Sequence, residues 1–179
     1  MAKARPGVLN YGSLPGASVA RLATELFKSL AAVDLVGVPY KMAAQPITAL
    51  IGNEVQVYFV AVLTAMPHIK SGRMRALAVT SAQPSALAPG LPTVAASVPG
   101  YEAVSWSAAF APAKTPVTII NRLNQEIVRF LNQADVKEKV FNAGTEVVAS
   151  SPAQLAATMS SETIRWGKVI KAAGLKVNE

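Results

Sequence analysis

The hydrophobic pattern is densest between Gly52 and Thr80, GNEVQVYFVAVLTAMPHIKSGRMRALAVT. Two runs within it, 55–60 and 76–80, are dominated by Val, Tyr, Phe, Leu and Ala. Apolar runs of this length are what strands buried on both faces of a parallel sheet present. About 15 residues separate them, the length that a right-handed helical crossover needs. Pro67 lies in that interval and Gly72 closes it. The pattern therefore predicts a compact βαβ unit at the centre of an α/β domain.

Upstream, residues 8–11 read as a short strand and 12–17 as a turn, with Ser18 as a helix N-cap. Val19, Leu22, Ala23, Leu26, Phe27, Leu30 and Ala31 then follow the spacing of an amphipathic helix. Residues 35–38 read as a second strand, ending at Pro39. Pro46 suits the first turn of another helix, with Ile47, Leu50 and Ile51 inward and Gly52-Asn53 as its stop.

Downstream, Pro84, Pro89, Pro92 and Pro99 forbid a long regular element and leave a loop, with one helical turn near 93–97. Residues 103–111 read as a strand, following a lobe boundary or hinge within 100–106. A long helix begins at Thr115-Pro116, with Ile119, Leu123, Ile127, Phe130 and Leu131 inward. Asp135 and Glu138 form a capping-box pattern for a short helix that Gly144 ends. Residues 146–149 read as a strand, and Ser151-Pro152-Ala153-Gln154 opens the last helix, which runs to Ala173. Strand, turn and helix alternate throughout, which is α/β by pattern.

Bulk properties narrow the function classes. The 179 residues suffice for one domain or two small lobes, and 51% hydrophobic against 15% charged content excludes a disordered chain. No apolar run reaches the ~18–20 residues needed to span a bilayer. Cysteine is absent, which excludes disulfides, thiolate catalysis and Cys-ligated zinc. Seventeen basic residues against ten acidic ones give a net charge of +7 and favour anionic partners. The cations are spread without a run of five or interleaved aromatics, so a basic surface explains them and no nucleic acid is expected. The opening MAKARPGVLN has charge but no apolar stretch after it and does not read as a signal peptide.

Few residues invite chemistry. The Gly-containing turn 13–18 leads from a strand into a helix N-terminus, where unpaired N–H groups and the helix dipole attract a carboxylate or phosphate. An ordinary strand-to-helix turn has the same sequence. His68 is the single histidine, which suits packing, since a metal site or a Ser-His-Asp triad would need partners the chain lacks. Trp106 follows the expected hinge and reads as a core residue that could also approach a ligand. Neither a G-x-S-x-G elbow, a P-loop nor a G-x-G-x-x-G turn occurs. No catalytic residue, metal site or cofactor is expected.

The order VQVYF, PHIKSGRMRALAVTS and LPTVAASVPGYEAVSW resembles the substrate-receptor family of tripartite tricarboxylate transporters, the Bug receptors. In that family VQ, a hydrophobic residue and Phe lead to PHIKAG and RALAVTS, then a DVPT-type loop and GYE. The segment 11–28, YGSLPGASVARLATELFK, is similar without gaps to the receptor form YASSGNGSS-x-HLAGELFK. The resemblance runs from about Pro6 to Lys176. It implies a type II periplasmic-binding-protein-like α/β fold with βαβ units and a mostly parallel sheet, the first lobe being truncated. Residues 1–104 would be second-lobe-like, and 105–179 the mainly helical returning segment of the first lobe.

The resemblance also implies a function and its residues. The chain would be a periplasmic solute-binding receptor, not an enzyme, holding a small carboxylate largely through backbone N–H groups at the 13–18 loop. Ser13, Gly16, Ala17 and Ser18 would line the site, joined by Met42 after VPYK and Val60 after VQVYF. Ser13 and Ser18 match the family; Leu14, Pro15, Ala17 and Arg21 depart from it, and Pro15 removes one donor. Met42-Ala43 stands where the family has Gly and a small polar residue, and Val60-Ala61 where it has Asp-Asn. Transporter membrane subunits are the implied partners. The apolar helix faces after Ala103 would lack their usual cover, which predicts a homodimer. A non-binding structural remnant and a cytoplasmic effector-sensing domain are the competing readings.

Overall fold

The computed structural model describes residues 2–175; Met1 and residues 176–179, which include Lys176 at the end of the resemblance and the last residues of the expected 105–179 segment, lie outside them. β1 (Asn10–Ser13) and β2 (Val36–Pro39) pair in parallel, with Asn10 opposite Val36 and Ser13 opposite Pro39. Between them runs α1 (Val19–Ala31), so the βαβ unit occupies 10–39 rather than 52–80. Ser18 caps α1 as its sequence predicts, its Oγ accepting from the Arg21 N–H at 3.4 Å. The helix ends at Ala32, which takes a left-handed conformation at φ 50°.

The two central apolar runs do not form strands. Residues 55–60 lie along the free edge of β1 and join it through one bridge, Tyr11 to Val57. The Asn10 carbonyl accepts from the Gln56 and Val57 N–H groups, and Gly12 N–H donates to Val57 at 3.2 Å. Residues 76–80 meet the proline-rich loop instead, through a Val79–Thr93 bridge. Pro92 accepts from Val79 at 2.9 Å but has no N–H to return, so a regular ladder cannot extend through it. Leu77, expected in a buried strand, is 69% exposed.

Helices close the remaining upstream chain. α2 (Gln45–Ile51) carries Pro46 in its first turn and is capped by Gly52, with Ile47 and Ala49 buried. Ile51, expected inward, is exposed. α3 (Val62–Lys70) contains Pro67 and ends at Ser71, and a 3-10 turn covers Val94–Ala96. The principal core comprises Ala23, Leu26, Val98, Tyr101 and Ala103, with Phe27, Phe59 and Trp166 packed on it. Phe27 meets Tyr101 edge-on with ring centroids 6.2 Å apart, a favoured aromatic geometry.

Downstream lie α4 (Val117–Leu131), α5 (Ala134–Asn142) and α6 (Pro152–Ala172). The capping box opening α6 is formed, with Gln154 N–H donating to Ser151 Oγ at 3.2 Å and Ser151 N–H to Gln154 Oε1 at 2.8 Å. The one expected at α5 is not: its N-cap is Gln133, without a side-chain bond, and Asp135 pairs with Lys139 at 3.3 Å. Residues 103–111 and 146–149 are not strands. From Val104 onward the first is mostly exposed, and the second is interrupted by Ala149 at φ 50°. The expected inward residues Ile119, Leu123, Ile127 and Phe130 of α4 are exposed. Trp106 is 42% exposed and is not a core residue.

The described residues divide into two compact units, one formed by 2–105 with 166–175 and the other by Trp106–Arg165. No helix among the described residues is long and apolar enough to cross a membrane.

Candidate functional site

β1, β2 and the 55–57 segment run in one direction, so their carboxyl ends open on the same edge of the unit. In open α/β structures ligands bind outside the carboxyl ends of parallel strands. Three connections leave that edge. The first is the 13–18 loop, the second follows β2 from Tyr40, and the third runs from Tyr58 toward α3. Tyr40 N–H donates to the Ser13 carbonyl at 2.9 Å, tying the second to the start of the first.

The sequence-derived residues are distributed over these connections. Ser13 is buried at 6% exposure, with its Oγ 3.5 Å from the Leu14 carbonyl. Gly16, Ala17 and Ser18 are half-buried. Gly16 adopts φ 65°, a left-handed turn that glycine enters without steric cost. Met42 lies two residues beyond Tyr40 and is 62% exposed, while Val60 is half-buried. The N–H groups of Gly16, Ala17, Val19 and Ala20 have no acceptor among the described residues.

The surroundings supply residues that motif reading passed over. Tyr11 Oη donates to Glu25 Oε1 at 2.7 Å, and Lys28 Nζ stands 3.4 Å from Glu25 Oε2 and over the Tyr11 ring. Burial, and then the hydrogen bond to Glu25, push the Tyr11 phenol well above its ordinary range. The Glu25–Lys28 spacing of three residues on one helix was the signal available for half of this cluster. Arg21 Nη1 donates to the Gly16 carbonyl at 3.4 Å, bringing a guanidinium against the loop. Gly12 is required by packing, since a Cβ there would stand 2.6 Å from Pro46 Cβ.

A cavity of about 470 Å³ is lined by Glu25, Lys28, Ser29, Lys168 and Val169, none of them a loop residue, and the other unit has one of about 280 Å³ beside Lys137 and Phe141. His68 is half-buried with Nδ1 shielded and unpartnered, and no group of three metal-ligating side chains occurs among the described residues.

Residues 1–175 match the model of the tripartite tricarboxylate transporter family receptor. Protein BugT of Bordetella pertussis is 32% identical over 98% of this chain and 54% of its own length. The structure of R. palustris Rpa4515 with adipate is 36% identical, with a TM-score of 0.80 over 97% of this chain and 58% of that one. MatC from Rhodopseudomonas palustris with bound malate is 28% identical, with a TM-score of 0.71 over 92% of this chain and 57% of that one. The chain thus spans little more than half the length of these proteins. With its whole described length matched in order, and a parallel α/β unit at its head, this chain belongs to the receptor family of tripartite tricarboxylate transporters.

Proposed function

We propose that the chain is a solute-binding receptor element that holds a small mono- or dicarboxylate at the 13–18 loop, mainly through backbone N–H groups. The observation that carries this reading is the convergence of three strand-end connections beside the α1 N-terminus, where four N–H groups lack acceptors among the described residues. A helix N-terminus stabilises an anion through those donors and its dipole without needing a cation. Here Arg21 adds a positive charge that backbone donors alone would not supply. The adipate- and malate-bound relatives support a carboxylate as the ligand class.

Ser13, Gly16, Ala17 and Ser18 form the anion end of this site, and Met42 and Val60 flank the bound carbon chain. The apolar character of the last two favours a ligand with a methylene spacer over a hydroxylated one. Residues 1–104 act as the second-lobe-like part, and 105–179 as the returning segment of the first lobe. The role is capture, without catalysis, in the periplasm for delivery to transporter membrane subunits. With one part of a two-lobed cleft in this chain, affinity is on the order of millimolar, about 4 kcal/mol.

Calorimetric titration with adipate and malate tests the reading. Weak saturable binding of both, tighter for adipate, is expected; sub-micromolar binding contradicts the half-cleft account. The exposure of Met42 favours a second reading, a chain that retains the fold without binding. That reading requires no saturable heat with either acid.

A further inference from the structure

We propose, on the carboxylate reading of the 13–18 loop, that Arg21 is the specificity-determining residue of that site, admitting plain carboxylates and rejecting amino acids. Arg21 stands in the first turn of α1. A helix start favours anions over cations, and no acidic residue offsets Arg21 in that turn. Its backbone N–H already donates to Ser18 Oγ at 3.4 Å, which leaves the side chain for further contacts. The guanidinium is short of partners. Nη1 donates to the Gly16 carbonyl at 3.4 Å. That is longer than the ~2.7–3.2 Å usual for such a bond, and longer still than the ~2.7–2.9 Å of a cation on a carboxylate. The half-buried side chain also keeps Nε–H enclosed, with no acceptor among the described residues.

The acid best placed to neutralise Arg21 is engaged elsewhere. Glu25 lies four residues on, the spacing at which charges on a helix pair. Its Oε1 accepts from Tyr11 Oη at 2.7 Å, and its Oε2 faces Lys28 Nζ at 3.4 Å. No other carboxylate pairs with Arg21 among the described residues. A positive charge without a counter-charge therefore rests against the loop where the Gly16, Ala17, Val19 and Ala20 N–H groups lack acceptors. Backbone donors hold a carboxylate whatever its next carbon carries. A guanidinium discriminates further, strengthening the hold on the carboxylate and repelling an ammonium beside it. An α-amino acid and the plain acid of equal length present the same carboxylates, so the ammonium is what Arg21 reads.

Succinate and aspartate provide the test, because the aspartate ammonium lies next to one carboxylate and one carbon further from the other. In an amide-resolved NMR titration of the full chain, succinate should shift Gly16 and Ala17 together with the Arg21 Nε–H signal. Aspartate should bind at least about tenfold more weakly. Arg21→Gln should weaken succinate and bring the two Kd values to within about threefold of each other. Arg21→Lys keeps the charge and should keep most of the difference, which separates a charge effect from lost packing. If Arg21→Gln binds neither acid, Arg21→Lys decides: a retained preference supports the assignment and a collapsed one contradicts it. Aspartate binding as tightly as succinate, or a preference unchanged in Arg21→Gln, overturns the role of Arg21 while the loop amides still shift and the carboxylate reading stands. Loop amides that succinate does not move remove that reading, and the selectivity with it.

Discussion

Tyr11 Oη and Glu25 Oε1 are 2.7 Å apart, and the 14 positions that separate them in sequence contain the entire loop of the candidate site. The bond joins the strand before the loop to the helix after it. A charge-assisted bond of this kind fixes both ends of a turn whose own residues make few contacts. Tyr11→Phe should therefore cost about 1 kcal/mol of stability, Glu25 keeping Lys28 as its partner. Urea denaturation of the variant checks this, and an unchanged midpoint would leave the loop anchored by other contacts.

The tyrosines set an alkaline limit. Burial pushes the Tyr11, Tyr58 and Tyr101 phenols above their ordinary value of 10.0. The folded state therefore holds their protons more tightly than the unfolded state does. Stability should be flat in pH below about 10 and fall as pH rises above it, where only the unfolded chain ionises freely. Tyr101→Phe should flatten that fall while losing the bond to the Ala23 carbonyl at 3.1 Å. Denaturant midpoints measured on either side of about pH 10 report both effects.

Two glycines should respond with opposite signs. Gly12→Ala places a Cβ 2.6 Å from Pro46 Cβ and 3.3 Å from the Tyr58 ring, and neither neighbour is a flexible chain end. A loss of roughly 1–3 kcal/mol is expected. Gly167 lies inside α6 with nothing within 4 Å of an added Cβ. Gly167→Ala should raise stability by up to about 1 kcal/mol through helix propensity. Thermal melts of the two variants give the signs directly.

What the sequence disclosed divides along the range of the interactions involved. The caps at Ser18 and Ser151 were legible because each is settled within three residues. The family was legible because its motifs are long and ordered. Strands at 76–80, 103–111 and 146–149 were misread because β-propensity describes a fit to a pleated, half-buried surface, and the partner decides whether that surface exists. For 76–80 the partner is a proline-rich loop, and Ala103 N–H bonds the Thr80 carbonyl once, at 2.9 Å, without continuing. On α4 the periodicity located an apolar stripe correctly but carried no information about what covers it. In the site, Ser13, Gly16, Ala17 and Ser18 were named through family resemblance. The Tyr11–Glu25 bond was hidden because half of it lies on a strand.

Amide-resolved NMR titration of the labelled chain with adipate tests the central claim most directly, because the proposed contacts are N–H groups. The amides of Gly16, Ala17, Val19 and Ala20 should shift together in fast exchange, with a Kd on the order of millimolar. No shift at those four amides at concentrations about tenfold above that Kd, or shifts confined to the cavity beside Lys28 and Lys168, would contradict the account.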